Sequence, residues 1–372
     1  MGSVRKPNRY VMLVGVDLYC NDGSRKDENG RPVSINWLHG CVNDVNALRG
    51  FFQDQFDLTR LTVLTSTATE PRHPYAKPAE SLDALPTFDN IKQEFDAICN
   101  LACQGDYFYF HYSGHGALLP RIQASPGGRL FDPSLLPVDY GCGKRAIRGW
   151  QLNSWLSQLN RKEVQVVVAL DSCYSGGSWR GGRHVRTQDL TTVVNLPIDE
   201  ETAETVPFES DSRFSRLEET WSINPKGLTL MAACDTDEKA AEITMNGKRH
   251  GAFTSGLLKY LEEGIQDKRP RIYRTIRDQL ACRVKGQTPR VYGQDRLLFF
   301  GKTEPFSTSP LVVRIESGPF DRNTVIVPAG RAHGVHRHSE FALLVPGLET
   351  AFSIEEVDDF EARAIVPSQV LR

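Results

Sequence analysis

The chain has 372 residues, of which 40% are hydrophobic and 24% charged, and its formal net charge is −2. These values are ordinary for a soluble globular protein with two or so folding units. The balanced charge, without a long basic run, argues against a protein that binds nucleic-acid phosphates. The longest apolar runs, such as residues 164–170, are far shorter than the roughly 20 residues needed to span a bilayer.

The N-terminus and the cysteines bear on the cellular compartment. No apolar stretch precedes Tyr10, so no secretory signal is predicted, and Lys6 stands where a myristoylation pattern needs Ser or Thr. The eight cysteines are irregularly spaced, and no second Cys or His pair complements Cys99 and Cys103 at zinc-site spacing. We therefore expect no structural metal and free thiols in the reducing cytosol or nucleus, with a cytoplasmic location as the working expectation.

Apolar strands and amphipathic helices alternate from residue 9 to residue 301. Strands are predicted at residues 10–18, 61–64, 107–112, 164–170 and 228–233, with residues 297–300 closing the series. Helices are predicted at residues 43–56, 89–103, 152–159, 253–262 and 272–284, the second of them capped by Asp89. This alternation predicts an α/β fold, with a mostly parallel sheet covered by helices on both faces. In such sheets, sites form at the carboxyl ends of the strands.

Two segments depart from this alternation. Residues 178–226 combine a Gly-rich start, an acidic middle and scattered arginines in one long loop, and loops of that length are usually functional or disordered. We take 178–227 as an insert between a first part, 9–177, and a second part, 228–301. From residue 305 to residue 372, short alternating runs predict a separate small all-β module, with strands at 311–315, 324–327, 341–345 and 362–366.

Two of the predicted strands end in residues that are able to carry chemistry. The strand at 107–112 runs into Ser-Gly-His-Gly, which contains His115, and the strand at 164–170 runs into Asp-Ser-Cys, which contains Cys173. Parallel strands end at the same edge, so the imidazole and the thiol are expected side by side, with glycines leaving room for a substrate. A cysteine attacks as thiolate, and a nearby imidazole helps to form it and then protonates the leaving amine. Together they favour catalysis over the structural roles that each residue has more often alone.

These motifs resemble those of a known family. HYSGHG and DSCYSGG are similar to the His and Cys motifs of metacaspases, which belong to the caspase-like C14 cysteine peptidases. His115 precedes Cys173 by 58 residues, near the spacing of about 50 residues in caspases. The segments LHGCVND, LTLMAACD, GAFTSGLL and QTP are also similar, so the resemblance covers residues 9–301. It implies a caspase–haemoglobinase-like fold for that part of the chain.

The resemblance also implies a cysteine endopeptidase that cleaves proteins or peptides after Arg or Lys. It implies Cys173 as the nucleophile, His115 as its acid–base partner, and the N–H groups of Cys173 and Gly116 as the oxyanion hole. The acidic S1 pocket that would receive the basic side chain corresponds to Cys41, Asp44, Ser113 and Asp171. A buried cation needs carboxylate partners to offset its desolvation, although Asp171 could instead serve only to orient its loop.

Calcium is a second implication of the resemblance, because many metacaspases require it. Asp132 and Asp139 could supply part of a hard oxygen site. However, the following helix lacks the expected acidic pair, and Arg180 stands near the place of another expected Asp. We therefore predict no cofactor and doubt activation by calcium.

Basic residues in the insert are candidate targets for the enzyme itself. We hypothesise self-cleavage in the insert, with four candidate positions: Arg183, Arg186, Arg213 and Arg216. The alternative is a solvated loop that only contributes contacts to the substrate, because exposed loops generally tolerate cleavage.

Two other functions stay open at this point. One is a non-catalytic caspase-like scaffold whose β module binds a partner, and the other is a cysteine hydrolase of related fold with non-peptide substrates. The intact His–Cys pair and acidic pocket favour the peptidase. His111, His336 and His338 are predicted to be structural, because nothing else titratable clusters with them. We expect neither a membrane nor a nucleic acid as partner, and the oligomeric state stays open.

Overall fold

The structure is a computed structural model. It describes residues 5–67, 76–122, 125, 130–173, 185–194, 223, 227–235, 238–266, 271–301, 313–317, 322–331, 335, 337, 339–345 and 348–367. The chain forms two compact units, Met1–Gly301 and Lys302–Arg372. Within the described ranges, no helix combines the length and the apolar character needed to cross a bilayer.

The first unit is built on a six-stranded sheet. In chain order its strands are β1 (Arg9–Val16), β2 (Arg60–Ser66), β3 (Tyr107–Ser113), β4 (Gln165–Asp171), β5 (Leu228–Ala232) and β6 (Arg290–Gly293). Their spatial order is β6-β5-β4-β3-β1-β2, and every neighbouring pair is parallel except β5 and β6. The inner strands are apolar along their length because both faces of the sheet are covered.

Helices lie on both faces of this sheet. In the described ranges they are α1 (Cys41–Gln55), α2 (Phe88–Leu101), α3 (Gly149–Arg161), α4 (Ala252–Gln266) and α5 (Tyr273–Arg283). Helices α2 and α3 share one hydrophobic core with Met12 of β1, whereas α1, α4 and α5 share the other core with Val11 and Leu13. Alternate residues of a strand point to opposite faces, which divides the core in this way. The predicted α/β class, with a mostly parallel sheet between two helical layers, is confirmed.

Two details differ from the sequence predictions. Helix α2 is capped by the Thr87 side chain, which accepts a hydrogen bond from the Asn90 amide at 3.1 Å, and not by Asp89. The predicted last element at 297–300 is a 3₁₀ turn, Phe299–Gly301, whose aromatic rings are buried against α1. Its apolar pattern therefore reflects core packing, and the sheet closes earlier, at the antiparallel strand β6.

Short strands surround the main sheet of the first unit. Gly116–Pro120, Phe131–Leu135 and Ile147–Arg148 form a three-stranded antiparallel sheet, and Lys26–Asp27 pairs with Val193–Val194. Glu242–Met245 and Lys248–Gly251 form a hairpin directly before α4. Two further 3₁₀ turns span Leu82–Ala84 and Tyr140–Cys142.

The second unit is a small β structure. Arg314–Ser317, Arg322–Val327, Ala362–Pro367 and Glu356–Val357 form one antiparallel sheet in that spatial order, and Glu340–Val345 pairs with Leu348–Ser353. Val325, Val327, Ile354 and Ala364 are among its buried apolar residues. The predicted all-β character is confirmed for the described residues, whereas the strands at 348–353 and 356–357 were missed.

Candidate active site

The ends of β3 and β4 lie side by side. Ser113 and Asp171 are paired across these parallel strands, so the residues that follow them start from the same edge of the sheet. Gly114 makes this turn possible, because a Cβ at that position would lie 2.6 Å from the Tyr112 hydroxyl and 2.9 Å from that of Tyr19. Parallel pairing thus brings His115 and Cys173 to one edge, where both side chains are buried.

His115 is held by its backbone and by one ring nitrogen. Its backbone N–H donates to the Tyr19 hydroxyl at 2.7 Å, and its Nε2 lies 2.9 Å from the carbonyl oxygen of Asn36. A carbonyl oxygen only accepts, so Nε2 carries the proton and Nδ1 keeps its lone pair. Nδ1 is buried and has no hydrogen-bond partner within the described part of the chain. Burial lowers the pKa of His115 to about 4, which keeps the imidazole neutral and able to accept a proton.

The backbone amides of Cys173 and Gly116 converge on one oxygen. Both donate to the carbonyl oxygen of Arg186, at 3.2 Å and 3.1 Å respectively. This is the geometry of an oxyanion hole, in which two fixed N–H groups stabilise charge that develops on a carbonyl oxygen. The oxygen that they hold belongs to the insert of the same chain.

The side chain of Arg186 fills a buried acidic pocket. Its guanidinium lies 2.7 Å from Asp44 Oδ2 and 2.9 Å from Asp171 Oδ2, and all three side chains are fully buried. Ser113 Oγ accepts a further hydrogen bond from it at 3.1 Å, and Glu242 Oε1 lies 3.6 Å away. Burial by itself would lower the pKa of Arg186, but the surrounding acidic groups raise it well above its ordinary value, so the side chain is a cation.

The two carboxylates are fixed by the segment that leads into α4. The Gly251 N–H donates to both oxygens of Asp44 at 3.0 Å, and the Thr254 amide and hydroxyl donate to Asp171 Oδ2 at 3.1 Å and 2.6 Å. A side chain at position 251 would close the pocket, because a Cβ there would lie 2.1 Å from Asp171 Oδ2. The two acids are therefore held by hydrogen bonds that do not involve Arg186.

Cys41 lies beside the pocket with two further acids. Its sulfur is within 4.8 Å of carboxylate oxygens of Asp17 and Glu242, and all three residues are buried. Asp17 accepts hydrogen bonds from the Cys41 and Val42 amides at 2.8 Å and 3.3 Å, which satisfies the N-terminus of α1. Burial raises the pKa of the Cys41 thiol, so this residue is a neutral lining group.

Residues 185–188 pair with the site through main-chain hydrogen bonds. The Arg186 amide donates to the carbonyl oxygen of Ala240 at 2.9 Å, and the Gln188 amide donates to that of Gly116 at 3.1 Å. Isolated β-bridges join Val185 to Ala241 and Thr187 to Gly116. Main-chain pairing of this kind is how grooves bind extended peptides.

The sulfur of Cys173 accepts several hydrogen bonds. The Ala240 amide donates to it at 3.2 Å, and the side chains of Cys234 and Thr187 also hydrogen bond to it. Burial alone would raise the pKa of the Cys173 thiol, but these donors together hold it below its ordinary value. Ionisation of this thiol is thereby favoured.

The first half of the chain is similar to a family of known proteins. A family model described as "Metacaspase, peptidase C14 domain" matches residues 12–179. Those residues belong to the metacaspase family. This part of the chain is therefore similar to the C14 cysteine peptidases, as its motifs predicted.

Individual relatives agree with this assignment. Metacaspase-9 of Arabidopsis thaliana is 26% identical over 349 residues, covering 79% of this chain and 96% of that protein. Metacaspase-1 of Coccidioides immitis is 21% identical over 307 residues, covering 76% of this chain and 61% of that protein. The crystal structure of protein GSU0716 from Geobacter sulfurreducens shares the fold, with a TM-score of 0.50 and 16% identity over 77% of this chain and 93% of that one.

Asp132, one of the two acids considered for calcium, already has a cation as its partner. Asp132 Oδ2 lies 2.5 Å from the Arg148 guanidinium and 2.5 Å from Ser125 Oγ, and Trp150 Nε1 donates to the same oxygen at 3.4 Å. A carboxylate that already pairs with a buried arginine has little affinity left for a second cation. Burial raises the pKa of Asp139 to about 6. Arg180 lies outside the described residues.

The remaining predicted residues divide into described and undescribed ones. His111 is buried in β3, and its Nε2 lies 3.0 Å from Ser113 Oγ, so it supports a pocket residue. Of the candidate self-cleavage positions only Arg186 is described, and it is buried, whereas the alternative was a solvated loop. The others, like the two histidines of the β module, lie outside the described residues: Arg183, Arg213, Arg216, His336 and His338.

Sequence reasoning missed two of the groups that build the pocket. Glu242 stands at the start of a short strand with exposed neighbours, and no pattern in the sequence distinguishes it from a surface acid. Thr254 lies inside GAFTSGLL, a segment noted only as a helix. Its match to the family segment was the single available signal, because Asp171 meets it across 83 positions of the chain.

Proposed function

We propose that this metacaspase domain is an endopeptidase that cleaves after arginine, with Cys173 as nucleophile and His115 as acid–base partner. One observation carries the proposal. Arg186 contacts the predicted S1 residues through its side chain and the predicted oxyanion amides through its carbonyl oxygen. A substrate arginine would make the same two sets of contacts at the moment of attack.

The chemistry follows from these positions. The Cys173 thiolate attacks the carbonyl carbon of the arginine, and the N–H groups of Cys173 and Gly116 stabilise the negative charge on the carbonyl oxygen. Nδ1 of His115 takes the thiol proton and gives it to the departing amine nitrogen as the peptide bond breaks. Water then adds to the thioester, so that the arginine carboxylate leaves and the thiol is restored.

Arginine fits this pocket better than lysine. The guanidinium reaches Asp44 with one terminal nitrogen and Asp171 with the other, and these acids come from different elements of the fold. A lysine ammonium is a single point charge on a flexible chain and cannot span both acids in this way. We therefore narrow the predicted Arg or Lys specificity to a preference for Arg.

The first substrate in this proposal is the enzyme's own Arg186–Thr187 bond. The Arg186 carbonyl lies in the amide pair, and the residues on both sides of the bond are hydrogen bonded along the groove. The segment therefore occupies the place of any other substrate until the bond is cut. Cleavage frees the carboxyl end at Arg186 and the amine at Thr187.

Mass spectrometry of the purified full chain tests both parts of the proposal. Wild type is expected to yield fragments ending at Arg186 and starting at Thr187, and then to cleave a fluorogenic peptide ending in Val-Arg. Cys173→Ala should remain intact and inactive, and Arg186→Ala should lose that cut. Arg183→Ala and Arg213→Ala, which remove basic residues of the same insert, are the matched controls and should be cut as wild type. An intact wild-type chain that cleaves peptides would reject self-processing, whereas no hydrolysis of Arg, Lys or Asp peptides would favour the scaffold alternative.

A further inference from the structure

A second buried thiol lies next to the proposed nucleophile. Cys173 follows β4 and Cys234 follows β5, and these neighbouring strands are parallel, with Leu170 opposite Ala232. The pairing continues past the strand ends, where the Ala233 amide donates to the carbonyl oxygen of Leu170 at 3.0 Å. Cys173 and Cys234 belong to the same buried cluster and are 3% and 8% exposed.

The proton of the Cys234 thiol has two acceptors. One is the carbonyl oxygen of Glu238, 3.6 Å from the Cys234 sulfur, and the other is the sulfur of Cys173. Hydrogen bonds to an ionised acceptor are stronger than those between neutral groups. When Cys173 loses its proton, its sulfur therefore becomes the stronger of the two acceptors, and a hydrogen bond from Cys234 favours the ionised state.

The same loop supplies the other fixed donor to the nucleophile. Ala240, six residues after Cys234, donates its amide to the Cys173 sulfur at 3.2 Å. The loop is anchored independently, since Glu238 accepts a hydrogen bond from the Thr288 hydroxyl at 2.6 Å and Gln287 accepts one from the Ala241 amide at 3.0 Å. The donors are therefore held in place by contacts that do not involve the nucleophile.

Because the His115 imidazole is neutral, a Cys173 thiolate needs hydrogen-bond donors such as these. Burial keeps the pKa of His115 at about 4, so the resting imidazole carries no positive charge that would stabilise a thiolate. The positive charge of Lys239 also lowers the pKa of Cys173, but the hydrogen bonds to the sulfur contribute more. The loop after β5 provides such hydrogen-bond donors, whereas the histidine motif follows β3.

We propose that Cys234 is a positioning residue whose thiol orients the Cys173 sulfur and stabilises it as the reactive thiolate. The proposal rests on the proposed function, in which Cys173 is the nucleophile. Cys234 itself forms no bond to the substrate. Its removal should leave the pocket and the oxyanion amides unchanged.

The test is a titration of the Cys173 thiolate by its ultraviolet absorbance in the full chain. Every protein in this titration also carries Arg186→Ala, which is expected to prevent the cut, so that subtracting the curve of the corresponding Cys173→Ala protein isolates this thiol in chains of one cleavage state. Peptide cleavage is measured on the same variants with Arg186 retained. Cys234→Ala is expected to move the Cys173 midpoint upward by about one pH unit, a roughly tenfold loss of thiolate at a fixed pH below the midpoint. Cys234→Ser keeps a donor and should recover most of the shift. Cys282→Ala removes an exposed thiol on α5 and is the control.

The outcomes separate this proposal from the function on which it rests. An unmoved midpoint in Cys234→Ala, or equal shifts in the Ala and Ser variants, would overturn the positioning role. A shifted midpoint in a chain that cleaves no peptide would uphold the contact between the thiols and reject the peptidase. Near-ultraviolet circular dichroism that matches wild type shows that the variants are folded.

Discussion

Arg186 and Asp44 form a fully buried ion pair, with 2.7 Å between nitrogen and oxygen, although 142 positions separate them in the chain. One partner belongs to the insert and the other to the first turn of α1. Moving two charges out of water is costly unless each is paired and hydrogen bonded. Asp44 meets that condition through Gly251 and His250, and Arg186 meets it through Asp171 and Ser113.

Replacing Asp44 by Asn should weaken binding of an arginine substrate. The pocket would keep its shape but would leave one end of a buried guanidinium without its charge partner, at a cost of about 3–5 kcal/mol. We expect kcat/KM for an Arg peptide to fall by at least about a hundredfold. Steady-state kinetics on self-cleaved enzyme measure this, and Asp54→Asn, an exposed acid on α1, is the control. Undiminished kcat/KM would remove Asp44 from the pocket.

Glu242→Gln should reduce the preference for Arg over Lys. Glu242 lies 3.6 Å from the guanidinium nitrogen that also contacts Asp44. It therefore stabilises the arrangement in which the two terminal nitrogens contact different acids, which an ammonium cannot adopt. The ratio of kcat/KM for paired Arg and Lys peptides is expected to drop severalfold, with the Arg value falling more. Glu262→Gln, on the exposed side of α4, should leave the ratio unchanged. An unaltered ratio in Glu242→Gln would show that the other two acids alone set the preference.

The buried Asp17 predicts a pH dependence of stability. Burial raises the pKa of Asp17 from 3.8 to about 7, so the folded state favours its protonated form. The contribution of Asp17 to the free energy of unfolding is fully present below its unfolded-state pKa and is lost as the pH rises through about 7. Its size is on the order of a few kcal/mol. Urea unfolding across this range should show a declining free energy of unfolding that is flatter in Asp17→Asn. Parallel curves for the two proteins would contradict the assignment.

Asp132 predicts an enzyme that is indifferent to calcium. Because Arg148 already provides the positive charge at this carboxylate, a chelator such as EGTA should leave the rate of self-cleavage unchanged. Asp132→Asn would remove the charge partner of the buried Arg148 guanidinium, and we expect a loss of about 3–5 kcal/mol in the free energy of unfolding. Activity that appears only on addition of Ca²⁺ would show that other residues form a site.

The sequence alone predicted the features of the fold that depend on local hydrophobic patterns. Alternating apolar strands and helices predicted the sheet, and the parallel arrangement brought the two motif-bearing strands together without further information. Elements whose character is set by distant partners were missed. Strand β6 is short and half-buried, and Phe299 and Phe300 carry an apolar signal because they pack on Phe52, not because they form a strand.

The pocket was partly predictable for the same reason. Asp44 and Asp171 lie inside family motifs, whereas Glu242 lies in a hairpin whose neighbouring residues are exposed. Arg186 was one of several basic residues in the insert, and nothing local distinguishes it from Arg183. Its burial arises from acids that the fold gathers from three separate parts of the chain, which a reading of neighbouring residues does not reveal.

The tether that joins Arg186 to its own pocket has a kinetic consequence. A segment that is covalently linked to its own binding site is present there at an effective concentration on the order of millimolar. Protein substrates at micromolar levels compete against it at a disadvantage of about a thousandfold. Once the bond is cut, the new chain ends are free to diffuse apart and that advantage falls. Each molecule would therefore become active in a single step, when its own bond is cut. The delay before this step would be set by one intramolecular reaction and would not depend on the concentration of other substrates.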